Sequence, residues 1–338
     1  MYKPITLKDI AGALDLSPST VSRALRDAHD ISGETKKKVS EYASLVNYQS
    51  NPMASGLRSK KSKSIGIVVP DLANSFFAQA ISGIESIAEK EGYHTIISQT
   101  GDSHQKEIEV VSHMANRSVD GLIITMSSKT TEYSHLQRMH ESGLPIVFFD
   151  RIVEEIDTYK VICNNFESSY KATLRLIENG KVNIAFLANA PQLSITKERI
   201  KGYRTALKDR NMLLREELIK FCPAGGSDNE EVELAIKQLM ACNNPPDAIF
   251  VAGDRLSVSC LRALKKLEIK SDELSIIGFS NVDLIDLFYT PISHIRQRAF
   301  EMGQISMNML LKIIEAKHPI TEFHTKTIDA DIFWLAPL

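Results

Sequence analysis

The sequence predicts a small all-α helix-turn-helix domain followed by a two-lobed α/β domain. Three observations carry this reading. Charge divides unevenly along the chain, the first 48 residues show only helical periodicity, and from Ser64 onward short apolar strands alternate with amphipathic stretches. At 338 residues the chain has room for two or three domains of roughly 150 residues each. Hydrophobic residues at 43% and charged residues at 24% exclude wholesale disorder and a collagen-like architecture. The net charge of -2 conceals an asymmetry, because residues 1–64 hold eleven Lys or Arg against six Asp or Glu, a balance of +5 that leaves -7 for the remainder. A basic head on an acidic body suits a polyanionic partner, although a solvated charged face has the same balance.

In the head, Thr6 can cap a first helix with Asp9 three residues on, and Leu7, Ile10, Ala11 and Leu14 repeat as one apolar stripe. A second helix begins at Ser17 with Pro18 in the first helical position, where its missing N–H costs nothing, and buries Val21, Ala24 and Leu25. Only Asp15 and Leu16 separate the two, so the chain turns sharply, and Asp15 tolerates the left-handed backbone such a turn needs. A third helix starts at Ser32, with Val39, Ala43 and Val46 on one side and Lys36, Lys37 and Lys38 on the other.

The second helix leaves Ser17, Pro18, Ser19, Ser22 and Arg23 pointing outward. Short polar side chains let a helix sit deep in a major groove, where an Arg forks onto a guanine edge or a phosphate, and the three lysines attract phosphates regardless of sequence. A small bundle that binds only protein would look similar. From Tyr48 to Ser64 the chain is polar and basic, with Asn51 and Pro52 as a possible helix start and Met53, Ala54 and Leu57 on one face. So short a helix would fold only when docked, and Leu57 beside Arg58, Lys60, Lys61 and Lys63 suits a minor-groove wedge; a flexible tether is the plainer alternative.

In the body, strands are expected in SIGIVVP, HTIISQT, DGLIIT and PIVFFD, with helices near 76–91, 104–116 and 131–142. A second series opens with YKVICN and continues through VNIAFLAN, LIKFCP, DAIFVAG and LSIIGFS, with helices near 167–179, 196–211, 228–242 and 255–267. The alternation implies βαβ units and parallel sheets, most simply two doubly wound lobes with a cleft between them. Ligands collect at the carboxyl ends of such strands, so the loops after Val69, Phe149, Phe186 and Ala252 should line that cleft.

An enzyme is not expected: no GxGxxG follows a strand, no GxxxxGK[ST] loop occurs, and the nine His are scattered without metal-ligand spacing, so neither a cofactor nor a metal is predicted. The four cysteines, Cys163, Cys222, Cys242 and Cys260, form no CxxC pair and read as reduced structural thiols. No secretory signal or bilayer-length apolar run is evident, so no membrane association and a cytoplasmic location are expected.

The segments ITLKDIAGALDLSPSTVSRAL, ISGETKKKV and NYQSNPMASGL, with TVSR at 20–23 as a specific mark, resemble the DNA-binding head and hinge of the LacI/GalR (lactose-repressor and galactose-repressor) transcriptional regulators. The resemblance continues through DLANSFFA, VDGLII, RIKGYRTAL, DAIFVAGD, LSIIGFSN and PISHIRQ, in family order, and implies a periplasmic-binding-protein-like effector domain. It implies a helix-turn-helix DNA-binding domain over 1–48, a hinge over 49–63, and an effector-binding and dimerisation domain over 64–338. The chain would pass between lobes three times, placing 64 to about 160 and 294–320 in the first lobe.

On this resemblance Pro18, Ser19 and Arg23 take base-reading positions, and Ala54 and Leu57 enter the central minor groove. With Thr6, Ser17, Thr20, Ser22, Lys37, Asn51 and Arg58 they form the DNA-binding set, and two heads of a homodimer grip a pseudo-palindromic operator in double-stranded DNA. The effector-binding candidates are Asp71, Asn74, Phe76, Phe77, Asp150, Arg199 and Asp254. The carboxylates can each accept two hydroxyls, the Arg fork suits vicinal hydroxyls or an anion, and the rings can stack on a sugar face. Read without the family, the same residues would be helix caps, a salt bridge and core. Several positions depart from the family's usual residues, among them Cys163 to Glu167, Gly253, Ser280, Ser293 and His294, which leaves the effector's identity open. The expected function is a ligand-responsive transcriptional regulator, a repressor of carbohydrate-related genes whose effector is a sugar or sugar derivative. The alternative is a cytosolic solute-binding module whose head contacts protein.

Overall fold

The computed structural model describes residues 5–48, 62–116, 119–269, 274–283 and 292–335. Two compact units meet between Ser62 and Lys63. In the first, helices α1 (Leu7–Leu14), α2 (Pro18–Ala24) and α3 (Gly33–Leu45) pack around Ile10, Ala11, Val21, Ala24, Val39 and Ala43. Thr6 and Asp9 form the reciprocal capping box, the Thr6 N–H donating to Asp9 Oδ2 at 2.7 Å. Asp15 ends α1 in the left-handed region at φ 55° and redirects the chain into α2, whose N-cap is Ser17. Val46 stands one residue past α3 as its C-cap, and Lys36 folds back onto the Asp27 carboxylate at 2.7 Å.

The second unit contains two six-stranded sheets among its described residues. The first lobe alternates β1 (Ser64–Val69), α4 (Ser75–Lys90), β2 (His94–Gln99), α5 (His104–Asn116), β3 (Gly121–Ile124), α6 (Ser134–Glu141), β4 (Ile146–Phe149) and β5 (Lys160–Cys163). The second carries α7 (Asn165–Glu178), β6 (Ile184–Ala188), α8 (Ser194–Asp209), β7 (Ile219–Phe221), α9 (Asn229–Met240), β8 (Ala248–Val251), α10 (Asp254–Lys266), β9 (Ser275–Phe279) and β10 (Ser293–Arg296). The chain then returns through α11 (Ala299–Ile314) and β11 (Thr325–Ile328) to β12 (Asp331–Phe333). The strand orders are β11-β5-β4-β3-β1-β2, all parallel, and β12-β10-β9-β8-β6-β7, parallel except for β12.

The structure corrects two expectations about the lobes and adds two strands. YKVICN, read as opening the second series, is β5 and pairs with β4 in the first sheet. Its apolar run looks the same in either sheet, and its pairing with β4 on one side and β11 on the other assigns it. Residues 294–296, placed in the first lobe, are part of β10 and pair with β9 in the second. The strands β11 and β12 were not anticipated, because β11 is exposed at three of its four positions and carries no alternating apolar pattern. The chain crosses between lobes at Asn164, at Gln297–Arg298 and at Asp329–Ala330, between the elements just named.

In the first lobe α4 packs closely against α11. A Cβ at Gly303 would lie 2.0 Å from the Ala80 carbonyl oxygen, and one at Gly83 equally close to that of Phe300, so glycine on each helix sets their separation. Among the described residues no helix is long and apolar enough to cross a membrane.

Candidate functional site

The candidate residues divide between the two units, and within the second they fall in more than one place. In the head, Ser17, Pro18, Ser19 and Arg23 are exposed, and Thr20 and Ser22 are half-buried. Ser17 is the N-cap that starts α2, its Oγ accepting from the Thr20 N–H at 3.1 Å and lying 2.7 Å from Ser19 Oγ. Ser22 Oγ accepts from Arg26 at 2.8 Å. The Arg23 guanidinium donates through Nη1 to Asp30 at 2.6 Å, and that bond holds the Asp30 carboxyl below its usual range. Among the described residues this is the one side-chain bond the Arg23 guanidinium makes, and a guanidinium carries five donors. Lys37 is exposed beside Glu41, 3.9 Å away, and Thr6 is held in its capping box. Asn51, Ala54, Leu57 and Arg58 lie outside the described residues.

In the second unit the parallel strands of both lobes end at a common cleft. A cavity of about 540 Å³ is lined by Asp150 after β4, Cys163 at the end of β5 and Asn164 after it, Asn165 and Phe166 at the start of α7, Gln192 before α8 and Ser194 at its first position, among others. Asp150 is buried, adopts the left-handed backbone at φ 60°, and donates its N–H to Val161 O at 2.9 Å. Its carboxylate accepts from Gln297 Nε2 at 3.5 Å. Arg199 lies behind the cavity, fully enclosed. Its Nε donates to Asn165 Oδ1 at 2.7 Å, Nη1 to Ala252 O at 3.0 Å and Nη2 to Gln297 Oε1 at 3.3 Å, while Cζ sits 3.6 Å from the Phe279 ring centroid. Burial pushes this guanidinium down to about 10, against the pull of Asp150, so it remains a cation at neutral pH. Cys163, Cys222 and Cys260 are buried thiols pushed up to about 12 by desolvation, which removes them as nucleophiles.

The remaining candidates gather elsewhere. Asp71, Asn74 and Asp254 line a second cavity of about 250 Å³ together with Arg255 and Arg262. Asp71 pairs with Arg255 across the cleft at 2.5 Å. Asn74 caps α4, its Oδ1 accepting from the Phe76 and Phe77 N–H groups at 3.0 and 3.3 Å. Asp254 accepts from the Asn281 N–H at 2.6 Å, and burial raises its carboxyl. Phe76 and Phe77 enter neither lining: they pack edge to face with centroids 5.2 Å apart, in the first lobe's core beside Phe149.

Sequence reasoning missed the amides that join these parts. Gln297 bridges Arg199 and Asp150, and Asn165 holds the Arg199 Nε. Asn281 exchanges hydrogen bonds with Gln79 of the other lobe at 2.8 and 3.0 Å. Ile152 N–H donates to Ser194 Oγ at 3.3 Å, and Gln192 Nε2 to the Ser128 carbonyl, both between lobes. Polar residues immediately after apolar strands, such as Asn164 and Asn165 after β5 or Gln297 after β10, were the available signal.

Comparison with known proteins matches residues 62–332 to "Periplasmic binding proteins and sugar binding domain of LacI family" and residues 6–51 to "Bacterial regulatory proteins, lacI family". Over 313 residues the chain is 29% identical to the HTH-type transcriptional repressor PurR of Vibrio campbellii, covering 92% of each protein. It is 28% identical to the Catabolite control protein A of Priestia megaterium, covering 98% of this chain and 96% of that one. The crystal structure of the Lac repressor bound to ONPG in the repressed state superposes with a TM-score of 0.79, covering 98% of both chains at 21% identity, which speaks to the fold. With a helix-turn-helix head, a two-lobed cleft domain and both family matches along its length, the chain belongs to the LacI family of bacterial transcriptional regulators.

Proposed function

We propose that the chain represses carbohydrate-related genes, binding a pseudo-palindromic operator as a homodimer and responding to a sugar or sugar derivative in the interlobe cleft. The exposed Ser17–Arg23 face of α2 carries the reading, since short hydroxyl side chains around one exposed Arg suit a major groove. Pro18, Ser19, Thr20, Ser22 and Arg23 read base edges; Thr6 and Lys37 contact phosphates, and Asn51, Ala54, Leu57 and Arg58 engage the minor groove. Such a role requires the compartment that holds the chromosome, the cytoplasm.

A polyhydroxylated effector accords with the sugar-binding description of the matched family and with the buried Asp150 on the cavity wall. Asp150 accepts its hydroxyls, Arg199 fixes the amides behind the wall, and Asp71, Asn74 and Asp254 define the neighbouring recess, with Phe76 and Phe77 supporting it from the core. Effector binding changes the interlobe contacts, and operator affinity follows if the two lobe arrangements bind the effector unequally. The test is selection of operator sequences from genomic fragments by the full chain, followed by anisotropy titration with and without a panel of sugars. A pseudo-palindromic site with salt-dependent affinity that shifts with one sugar is expected. Absence of salt-dependent DNA binding under every ligand condition would instead make the chain a solute-binding module with a protein-contacting head.

A further inference from the structure

The nine histidines show no metal-ligand spacing along the sequence, yet folding brings two of them against a buried carboxylate in the first lobe. His104 and Glu107 stand one helical turn apart at the start of α5, and His135 faces them from α6. One ligand atom from each lies within 4.8 Å of the others. The contacts run as a chain: His104 Nδ1 is 3.3 Å from Thr130 Oγ1, Thr130 Oγ1 donates to Glu107 Oε1 at 3.0 Å, and that oxygen is 3.1 Å from His135 Nε2. At metal–ligand lengths of about 2.0–2.1 Å, neighbouring donors on a tetrahedron sit about 3.3 Å apart, so a small contraction around a central ion satisfies the set.

Three further observations favour an ion. Glu107 and His135 are 0% and 3% exposed, whereas the His104 side chain is 28% exposed and gives a path from solvent. His104 Nε2 rests on Glu132 Oε1 at 3.2 Å, the outer carboxylate that typically orients a metal-bound imidazole whose other nitrogen faces the ion. Glu107 Oε2 accepts from the Ser127 N–H at 2.7 Å, leaving Oε1 directed at the imidazoles.

We propose that His104, Glu107 and His135 form a binding site for a divalent transition-metal ion of the zinc class, with Thr130 or a water as fourth ligand. Two imidazoles and one carboxylate suit zinc over magnesium or calcium, which prefer all-oxygen shells. The ion ties α5 and α6 to the loop after β3, whose Ser128 carbonyl meets Gln192 of the other lobe.

The test uses the full chain, stripped of metal by a chelator, in calorimetric titrations with Zn²⁺ and with Mg²⁺, and Co²⁺ as a spectroscopic substitute. One Zn²⁺ per chain, no Mg²⁺ uptake and the visible bands of tetrahedral Co²⁺ are expected. His104→Gln, at a partly exposed position that leaves the buried pair in place, weakens Zn²⁺ binding at least tenfold and abolishes the zinc-dependent rise in Tm. His94→Gln, at an exposed histidine at the start of β2, leaves both unchanged. Absence of stoichiometric Zn²⁺ uptake, uptake unaltered in His104→Gln, or equal loss in both variants overturns the proposal.

Discussion

Arg23 shows how one side chain can be committed locally and still be available. Its ion pair with Asp30 is half exposed on both sides, with 49% and 42% of the side chains accessible, so water screens it and phosphate or a base edge competes readily. Arg23→Ala is expected to cost about 1–3 kcal/mol of operator binding and to relax preference at one position, read by anisotropy on operator and single-base variants. Lys37→Ala should weaken all sequences alike and reduce the salt slope by about one unit. Unchanged discrimination in Arg23→Ala would remove α2 as the reading element. Asp102 makes a pH prediction. Burial opposes its charge, but the Arg151 guanidinium at 2.7 Å and the Ser128 N–H at 2.6 Å outweigh that and hold its carboxyl below the ordinary 3.8. Its stabilisation is therefore complete above the unfolded value and is lost as pH falls from about 3.8 through the lower folded value. Asp102→Asn should flatten the acid limb of a thermal-stability profile below pH 4, and a parallel profile would show that the pair contributes nothing to acid unfolding.

At the scale of elements, the α4–α11 contact depends on backbone approaching backbone. A methyl at Gly303 would meet the Ala80 carbonyl oxygen at 2.0 Å, and a carbonyl within a helix cannot rotate away. Gly303→Ala is expected to cost about 3 kcal/mol, measured as a fall in the urea midpoint with little change in slope. A variant of unaltered midpoint would mean the helices slide apart freely. The head's elements were legible because their signals are local: Thr6 with Asp9, Ser17 with Pro18 and Ser32 each lie within a turn of the groups they cap. β11 was not legible, because a mostly exposed edge strand needs no apolar pattern and exists only through its pairing with β5. Asp150 was legible as a strand-end carboxylate, whereas Gln297 was not, since its importance comes from Arg199 and Asp150, 98 and 147 residues away.

Across the whole second unit, the two lobes are held by a few polar contacts rather than by a shared apolar core. Asp71–Arg255, the Gln79–Asn281 amide pair and the Ile152–Ser194 bond all cross the cleft, alongside the three chain crossings. Arg255 is about half exposed, so its pair with Asp71 contributes at most about 1 kcal/mol to closure. Arg255→Ala should weaken effector binding by up to about fivefold without altering operator binding in the absence of effector, measured by calorimetry and anisotropy on the same preparation. A larger loss would make Arg255 a direct contact.

By themselves, the residues determined the head's capped helices, the alternation of strand and helix, the class of fold and the kinship with LacI regulators, because each is written in short-range spacing. Tertiary structure alone decided that β5 belongs to the first sheet, that Arg199 lies behind the cavity wall while Phe76 and Phe77 pack in the core, and that His104, Glu107 and His135 meet. The physical reason is the same in each case. Such placements follow from which distant strands and helices pair, and the free energy of that pairing is spread over the whole core rather than held in any local stretch of chain.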